Sequence, residues 1–483
     1  LQSIEGTDRE DVIEVTRLGK GKTRIRIYST FDDEPQKLLL ERLFTSKDTK
    51  ELWVYGLNGN DTFKVINEIP NNAEHEKFIF LRLIGGNGND VYDLVDGERV
   101  KVYDHSSLEN TIVERGGANF RMTDIYNLNT YDYRKQIDRF NNITATIGYN
   151  PDDGLIAGLQ YSYQKDGFQR NPFSFRHVIN GTFYADTESF DLSYSGEFAN
   201  FRDEKNLSYN LYITSPKYIE NYFGYGNETL NTQDEDGIDK NRVQIQKING
   251  NIGLLKNSLF GSFFKTQFTI DTYKVRSDVN FSLPTESSFE LNKTSYFGSI
   301  DGIYSYRSFD DASNPSRGMM FDFNPGITTN VKDVYRTFGY LNTRLGFYNS
   351  LVSNKKLVLK TNVNAKFNFG NKFEFYQGVT LGGETGLRAY REERFTGKSA
   401  LVGNADLRYS FDSFKVGLIP LQIGVYGGAD LGRVWIPSRL SEQWHNSYGG
   451  GLWINGPGGL NAKMSAFTAT ESTRVSFGLG FKF

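Results

Sequence analysis

The feature that most constrains this chain is a succession of period-two segments that begins near Arg139 and runs to Phe483. Strand side chains alternate between two faces, so the last segment sorts Val475, Phe477, Leu479, Phe481 and Phe483 onto one face. Arg474, Ser476, Gly478, Gly480 and Lys482 fall on the other. The segment from Leu357 to Phe369 does the same, with Leu357, Leu359, Val363, Ala365, Phe367 and Phe369 opposite Lys360, Asn362, Asn364, Lys366 and Asn368. In a soluble sandwich the apolar face would be core and the polar face would meet water. In a membrane barrel the assignment inverts, with lipid outside and a wet lumen inside. Segments of about ten residues or more, repeated over about 350 residues with no helical period between them, favour the barrel.

Segments start near 140, 154, 173, 188, 205, 239, 262, 292, 318, 335, 355, 400, 420, 446, 459 and 473. An even count of about sixteen lets the first strand close on the last and leaves no edge in lipid. The expected fold is all-β: an antiparallel transmembrane barrel over 139–483, preceded by a small β-rich extramembrane domain over 1–118 and a linker over 119–138. In that linker Tyr126, Tyr131 and Tyr133 would suit a membrane interface or a plain surface. If the amino-terminal domain is periplasmic, the connections after odd strands face outward, including the two longest, near 214–238 and 370–399.

Composition narrows the class further. Nothing approaches the roughly 20 apolar residues of a membrane helix, and the best candidate, Val416 to Gly428, is interrupted by Pro420 and Gln422. The 29 Tyr, 38 Phe and 49 Gly fit a barrel better than a helical bundle. With no Cys there is neither a disulfide framework nor a thiolate metal site. A net charge of -3 without a basic block argues against a nucleic-acid partner. The chain starts at Leu1 without a signal-peptide pattern, as expected of a processed or truncated product.

The connection after the eleventh segment reads Gly382-Gly383-Glu384-Thr385-Gly386-Leu387-Arg388-Ala389-Tyr390, and later come Gly397 and Gly403-Asn404-Ala405-Asp406-Leu407-Arg408-Tyr409. The thirteenth segment contains Gly428-Ala429-Asp430-Leu431-Gly432-Arg433-Val434-Trp435, and Asn314-Pro315-Ser316-Arg317-Gly318 precedes the ninth. In order and placement these motifs resemble the BamA, TamA and FhaC superfamily of outer-membrane barrels. The resemblance implies sixteen strands and a long sixth extracellular loop that folds into the lumen and presents a V-R-G-F/Y tip. Leu387, Arg388 and Tyr390 match that tip in kind, with Ala389 in the place of the usual Gly. A guanidinium in a narrow lumen needs a carboxylate. Asp430, alternating with Gly428 and Gly432, is the first candidate, and Asp406 on the neighbouring strand is the second.

The first 115 residues carry a different signal. Three phrases recur, Ile4-Glu5-Gly6-Thr7-Asp8 with Asp11, Gly56-Leu57-Asn58-Gly59-Asn60-Asp61 and Gly85-Gly86-Asn87-Gly88-Asn89-Asp90, and the last two resemble the turns of calcium-binding parallel β-rolls. Asp61 and Asp90 could contribute oxygens to a calcium ion, or the phrases could be tight Asn-Gly turns between strands. No βααββ pattern of a POTRA module is present.

Enzyme signatures fail. Gly21-Lys22-Thr23 imitates the end of a phosphate loop, but Thr16 stands where that motif needs Gly. His75, His105, His177 and His445 form no metal-ligand pattern. The visible chain is therefore expected to lack catalysis. The resemblance implies protein translocation or outer-membrane assembly, with polypeptide clients and envelope partners. The alternative is a membrane anchor for the β-rich module and an upstream enzyme outside this chain, such as a metallophosphoesterase.

Overall fold

The structure is a computed structural model and describes all residues except 31–36, 70–76, 134–137, 170–172, 203, 259–260, 277–289, 371, 418, 438–440 and 482–483. His75, Lys482 and Phe483, which entered the reading above, lie outside the described residues. The chain forms two compact units, Leu1–Asp138 with Asp166–Phe173, and Arg139–Lys165 with Ser174–Phe483.

The second unit is a closed antiparallel barrel of sixteen long strands. Each strand start falls within three residues of the alternation reading, the largest offset being the sixth strand, Arg242–Asn257 against 239. Two three-residue segments, Ile219–Asn221 and Phe414–Val416, pair onto the ends of the sixth and thirteenth strands. The side chains follow the pleat. On the sixteenth strand (Thr473–Phe481) Val475, Phe477 and Leu479 point outward, whereas Arg474 is buried within. On the eleventh (Leu357–Phe369) Val363, Phe367 and Phe369 point outward and Asn362 and Asn368 are buried. The outer surface is thus a belt of Ile, Leu, Val and Phe, the surface that lipid covers. Among the described residues no helix is long and apolar enough to cross a membrane; the strands do so.

Glycines sit where cross-strand neighbours crowd them. Gly326 faces Tyr340 and Gly424 faces Trp453 in register, and in each pair the aromatic ring occupies the space a Cβ would need. Such ring-over-glycine pairs fix register while letting the sheet coil.

The junction between the first strand (Arg139–Asn150) and the sixteenth differs from the rest. Among the described residues three register pairs join them, Ile147–Leu479, Gly148–Gly478 and Tyr149–Phe477, against twelve between the first and second strands and nine between the fifteenth and sixteenth.

The first unit is a parallel two-sheet solenoid. One sheet stacks Gln2–Glu5, Glu51–Asn58, Phe80–Asn87, Val100–Asp104 and Asn119–Met122. The other stacks Asp11–Leu18, Thr62–Asn67, Val91–Leu94 and Thr111–Glu114, extended by the antiparallel strands Lys22–Ser29 and Lys37–Thr45. Ile13, Val15, Leu52, Val54, Phe63, Val65, Leu81 and Leu83 form the core between the sheets. The structure corrects the linker expected over 119–138. Asn119–Met122 pairs with Val100–Asp104 as the edge strand, and Leu128 is buried with Trp53, Tyr55, Ile84 and Tyr103. Ile125, Leu128 and Tyr131 recur every third residue, which gives this stretch an apolar face to bury. Tyr131 lies edge-on to Tyr55, while Tyr126 and Tyr133 are exposed.

Because lipid cannot solvate a guanidinium, Phe477→Arg or Leu479→Arg should destabilise the barrel by about 2–4 kcal/mol if the position lies near the bilayer midplane. Folding equilibria in liposomes measure this. The wild type should also migrate as a compact band in mild detergent until boiled, and a stable detergent-free monomer would contradict the lipid assignment.

Candidate functional site: a loop docked in the barrel lumen

The connection from the eleventh strand to the twelfth (Ser399–Ser410) turns back into the barrel. Its stem is a short hairpin, Val379–Leu381 against Phe395–Gly397. Val379, Leu381, Leu387, Tyr390 and Phe395 are buried together with Ala400 and Val402 of the twelfth strand and Val434 of the thirteenth (Ile419–Trp435). This apolar patch seats the loop against the inner wall.

At the tip a turn runs from Leu387 to Tyr390, closed by the Tyr390 N–H donating to the Leu387 carbonyl at 3.0 Å. Arg388 and Ala389 occupy its centre, and neither takes the left-handed backbone that would require glycine. Ala389 is therefore compatible with the turn; the glycine freedom is used at Gly382 and Gly386, with φ of 139° and 128°.

Arg388 meets both candidate carboxylates. Its Nε lies 3.0 Å from each Asp430 oxygen and its Nη2 lies 2.6 Å from Asp430 Oδ1, while its own backbone N–H donates to Asp430 Oδ2 at 3.1 Å. The same Nη2 is 2.7 Å from Asp406 Oδ1. Gly428 makes this possible, since a Cβ there would stand 2.8 Å from Arg388 Nη2 and collide with the Asp406 carboxylate. A Cβ at Gly432 would crowd Val402 and Leu381 of the loop stem. The Asp430 side chain is fully buried and accepts two further bonds, from Asn404 Nδ2 at 2.7 Å and Ser447 Oγ at 2.5 Å. Asn404 also donates to the Gly386 carbonyl, and the guanidinium lies 3.9 Å from the centre of the Phe467 ring. Two carboxylates around one cation, with Asn404 and Ser447 also donating to Asp430, offset the desolvation that burying these charges demands.

Asn404 lies within the Gly403–Tyr409 motif without a role assigned to it there, and neither Ser447 nor Phe467 lies in a motif. Asn404 stands two residues from Asp406 on an inward parity, a signal that alternation could have supplied; Ser447 and Phe467 had none.

Asp61 and Asp90, proposed as calcium ligands, lie in the other unit. The phrases Gly6–Asp11, Gly56–Asp61 and Gly85–Asp90 stack at one corner of the solenoid. The Asp11 N–H donates to Asp61 Oδ1 and the Asp61 N–H donates to Asp90 Oδ1, each at 2.8 Å. Asn87 donates to Asn58, and Asn58 to Asp8, in a parallel ladder. Gly56 and Gly85 leave room for the carboxylates of Asp61 and Asp90, which would otherwise meet a Cβ. Among the described residues no group of three or more His, Cys, Asp or Glu side chains is placed to hold a metal ion. Burial pushes the Asp61 carboxyl up to about 8 and the Asp90 carboxyl up to about 7, with neighbouring carboxylates adding to the rise.

Two outcomes follow. Truncating Arg388 to Ala should cost about 3–5 kcal/mol, because it strands the buried Asp430 carboxylate, and Asp430→Ala should cost less, because Arg388 keeps Asp406 at 2.7 Å. The double mutant should show coupling well above about 1 kcal/mol, whereas additivity would mean the tip does not dock. In the solenoid, the raised carboxyl pKa values mean that the native state holds protons the unfolded chain has released. That contribution is complete below the unfolded pKa of about 4 and is lost as pH rises through about 7 to 8. Hydrogen-exchange protection of the Leu52–Tyr55 amides, corrected for intrinsic rates, should fall across that window, and Asp61→Asn should flatten the fall.

No protein-family profile matches the sequence, and no curated protein matches it. Among solved structures the chain is similar to BamA from Haemophilus ducreyi lacking POTRA domains 1–3, with 14% identity and a TM-score of 0.52 over 71% of each chain. It also resembles CdiB from Acinetobacter baumannii, with 13% identity and a TM-score of 0.45 over 72% of this chain and 60% of that one. For CdiB from Escherichia coli the values are 11% and 0.47, over 72% and 68%. What such distant likeness carries is fold, and by fold this chain holds a sixteen-stranded barrel of the BamA type.

Proposed function

We propose that this protein passes or inserts polypeptide at a bacterial-type outer membrane, using the seam between the first and sixteenth strands. The observation that carries the reading is the contrast between that seam and the lumen. Among the described residues three register pairs hold the seam, while the lumen is occupied by a loop fixed through buried charge. A passive pore would need the opposite arrangement. A strand edge with few partners is a template on which an extended chain can add by main-chain hydrogen bonds. Clients of that kind are polypeptides with the alternation seen in this barrel's own strands. The fold shared with BamA supports the location and the class of partner.

Since the chain has no Cys, a disulfide between Gly148→Cys and Gly478→Cys would be the sole crosslink. In the native host this lock should deplete a defined set of outer-membrane or exported polypeptides, and reduction should restore them. An unchanged envelope and exported proteome under a complete lock, or large steady conductance of the wild type in planar bilayers, would overturn the proposal.

A further inference from the structure

The residues just beyond the loop tip do something that docking alone does not require. Arg391 donates from Nε to Asp152 Oδ1 at 2.8 Å, and the Glu392 N–H donates to Asp152 Oδ2 at 2.9 Å. Asp152 lies in the turn that follows the first strand, and its carboxylate also pairs with Arg474 of the sixteenth strand at 2.6 Å. All three side chains are buried, at 4–8% exposure. Asn150 sets the aspartate in place by accepting the N–H groups of Asp152 and Asp153 on Oδ1, both at 2.8 Å.

The entry to the sixteenth strand holds the same stretch of loop twice more. Ser472 Oγ donates to the Ala389 carbonyl at 2.6 Å, and Arg394 forms a two-point pair with Glu471 at 2.7 and 2.8 Å. Loop residues 389–394 are therefore bound to both strands that flank the seam. Among the described residues the seam's own backbone contributes three pairs, so a substantial part of what keeps its two strands together passes through this loop and through one carboxylate.

We propose that Asp152 is a latch that couples the sixth loop to the seam, so that the loop cannot leave the lumen without loosening the seam, nor the seam part without releasing the loop. This deepens the reading above and rests on it in one respect, that the seam is where the barrel opens. The charges argue for a switch rather than a permanent weld. Asp152 serves two guanidiniums and a backbone N–H at once, so losing the loop takes away two of those three donors and removes from Arg474 its second carboxylate, Glu392 at 3.8 Å. Each contact is therefore worth more when the others are present.

Hydrogen exchange on the full chain in lipid nanodiscs tests this without any client. Asp152→Asn keeps the shape and removes the charge. It should raise exchange at Ile147–Tyr149, at Phe477–Leu479 and across loop residues 382–394 by a common factor of about ten or more, and leave the ninth and tenth strands unchanged. Arg474→Gln should do the same. A faster loop with wild-type seam rates, or a faster seam with a wild-type loop, would overturn the latch. Should both variants fail to fold, the wild-type background carrying Ala389→Cys and Ser472→Cys decides. Oxidation should slow seam exchange and reduction should restore it, and seam rates indifferent to the lock would overturn the latch. Because no transport is measured, coupled exchange in a protein that moves no polypeptide would keep the latch and remove only the transport reading.

Discussion

Every backbone N–H and C=O inside a bilayer must find a partner within the protein, and that constraint shapes the second unit. It forces the sheet to close, and closure forces the first strand against the sixteenth however poorly their register suits them. Fifteen junctions are zipped along long strands; the remaining one carries three pairs among the described residues. The barrel is therefore a nearly uniform wall with one inherited weak line, and the side chains around that line bear more of the load than they do elsewhere.

The lumen meets a second constraint, the desolvation of charge. Arg388 enters a space where bulk water cannot serve it, and Asp430 and Asp406 take over. Removing Arg388 is costly because it leaves two carboxylates without the guanidinium between them, although the net worth of the intact cluster against an apolar substitute is modest. Its value is positional: a rigid fork between two carboxylates admits one loop orientation.

How much of this was legible depends on how far apart the partners lie and whether a period marks them. Period-two alternation placed the strands, because lipid on one side and water on the other impose opposite demands on successive residues. The Arg388 site is readable because Asp430 stands between two glycines of its own parity, which leave room for a loop to approach the strand. Asp152 gave no such notice, since Asn150-Pro151-Asp152-Asp153-Gly154 reads as an ordinary turn and its partner Arg391 lies 239 residues away. The solenoid was half legible. Its turns repeat, but the hairpin over Lys22–Thr45 separates the first coil from the second, so Asp11 and Asp61 are 50 residues apart while Asp61 and Asp90 are 29 apart. An insertion hides the period, and the last coil reads as a linker because its strand is four residues long.

The latch also bears on the order in which the molecule is made. Ile147 and Leu479 are separated by most of the barrel sequence, and closing so long a loop returns few contacts for the entropy it consumes. The seam is thus the natural last event of folding, and residues 389–394 can complete their contacts only when both of its strands have arrived. Threading the loop and sealing the wall become a single step, so that a barrel sealed with its loop left outside would be a trapped misfold, short of the very contacts that hold its ends together.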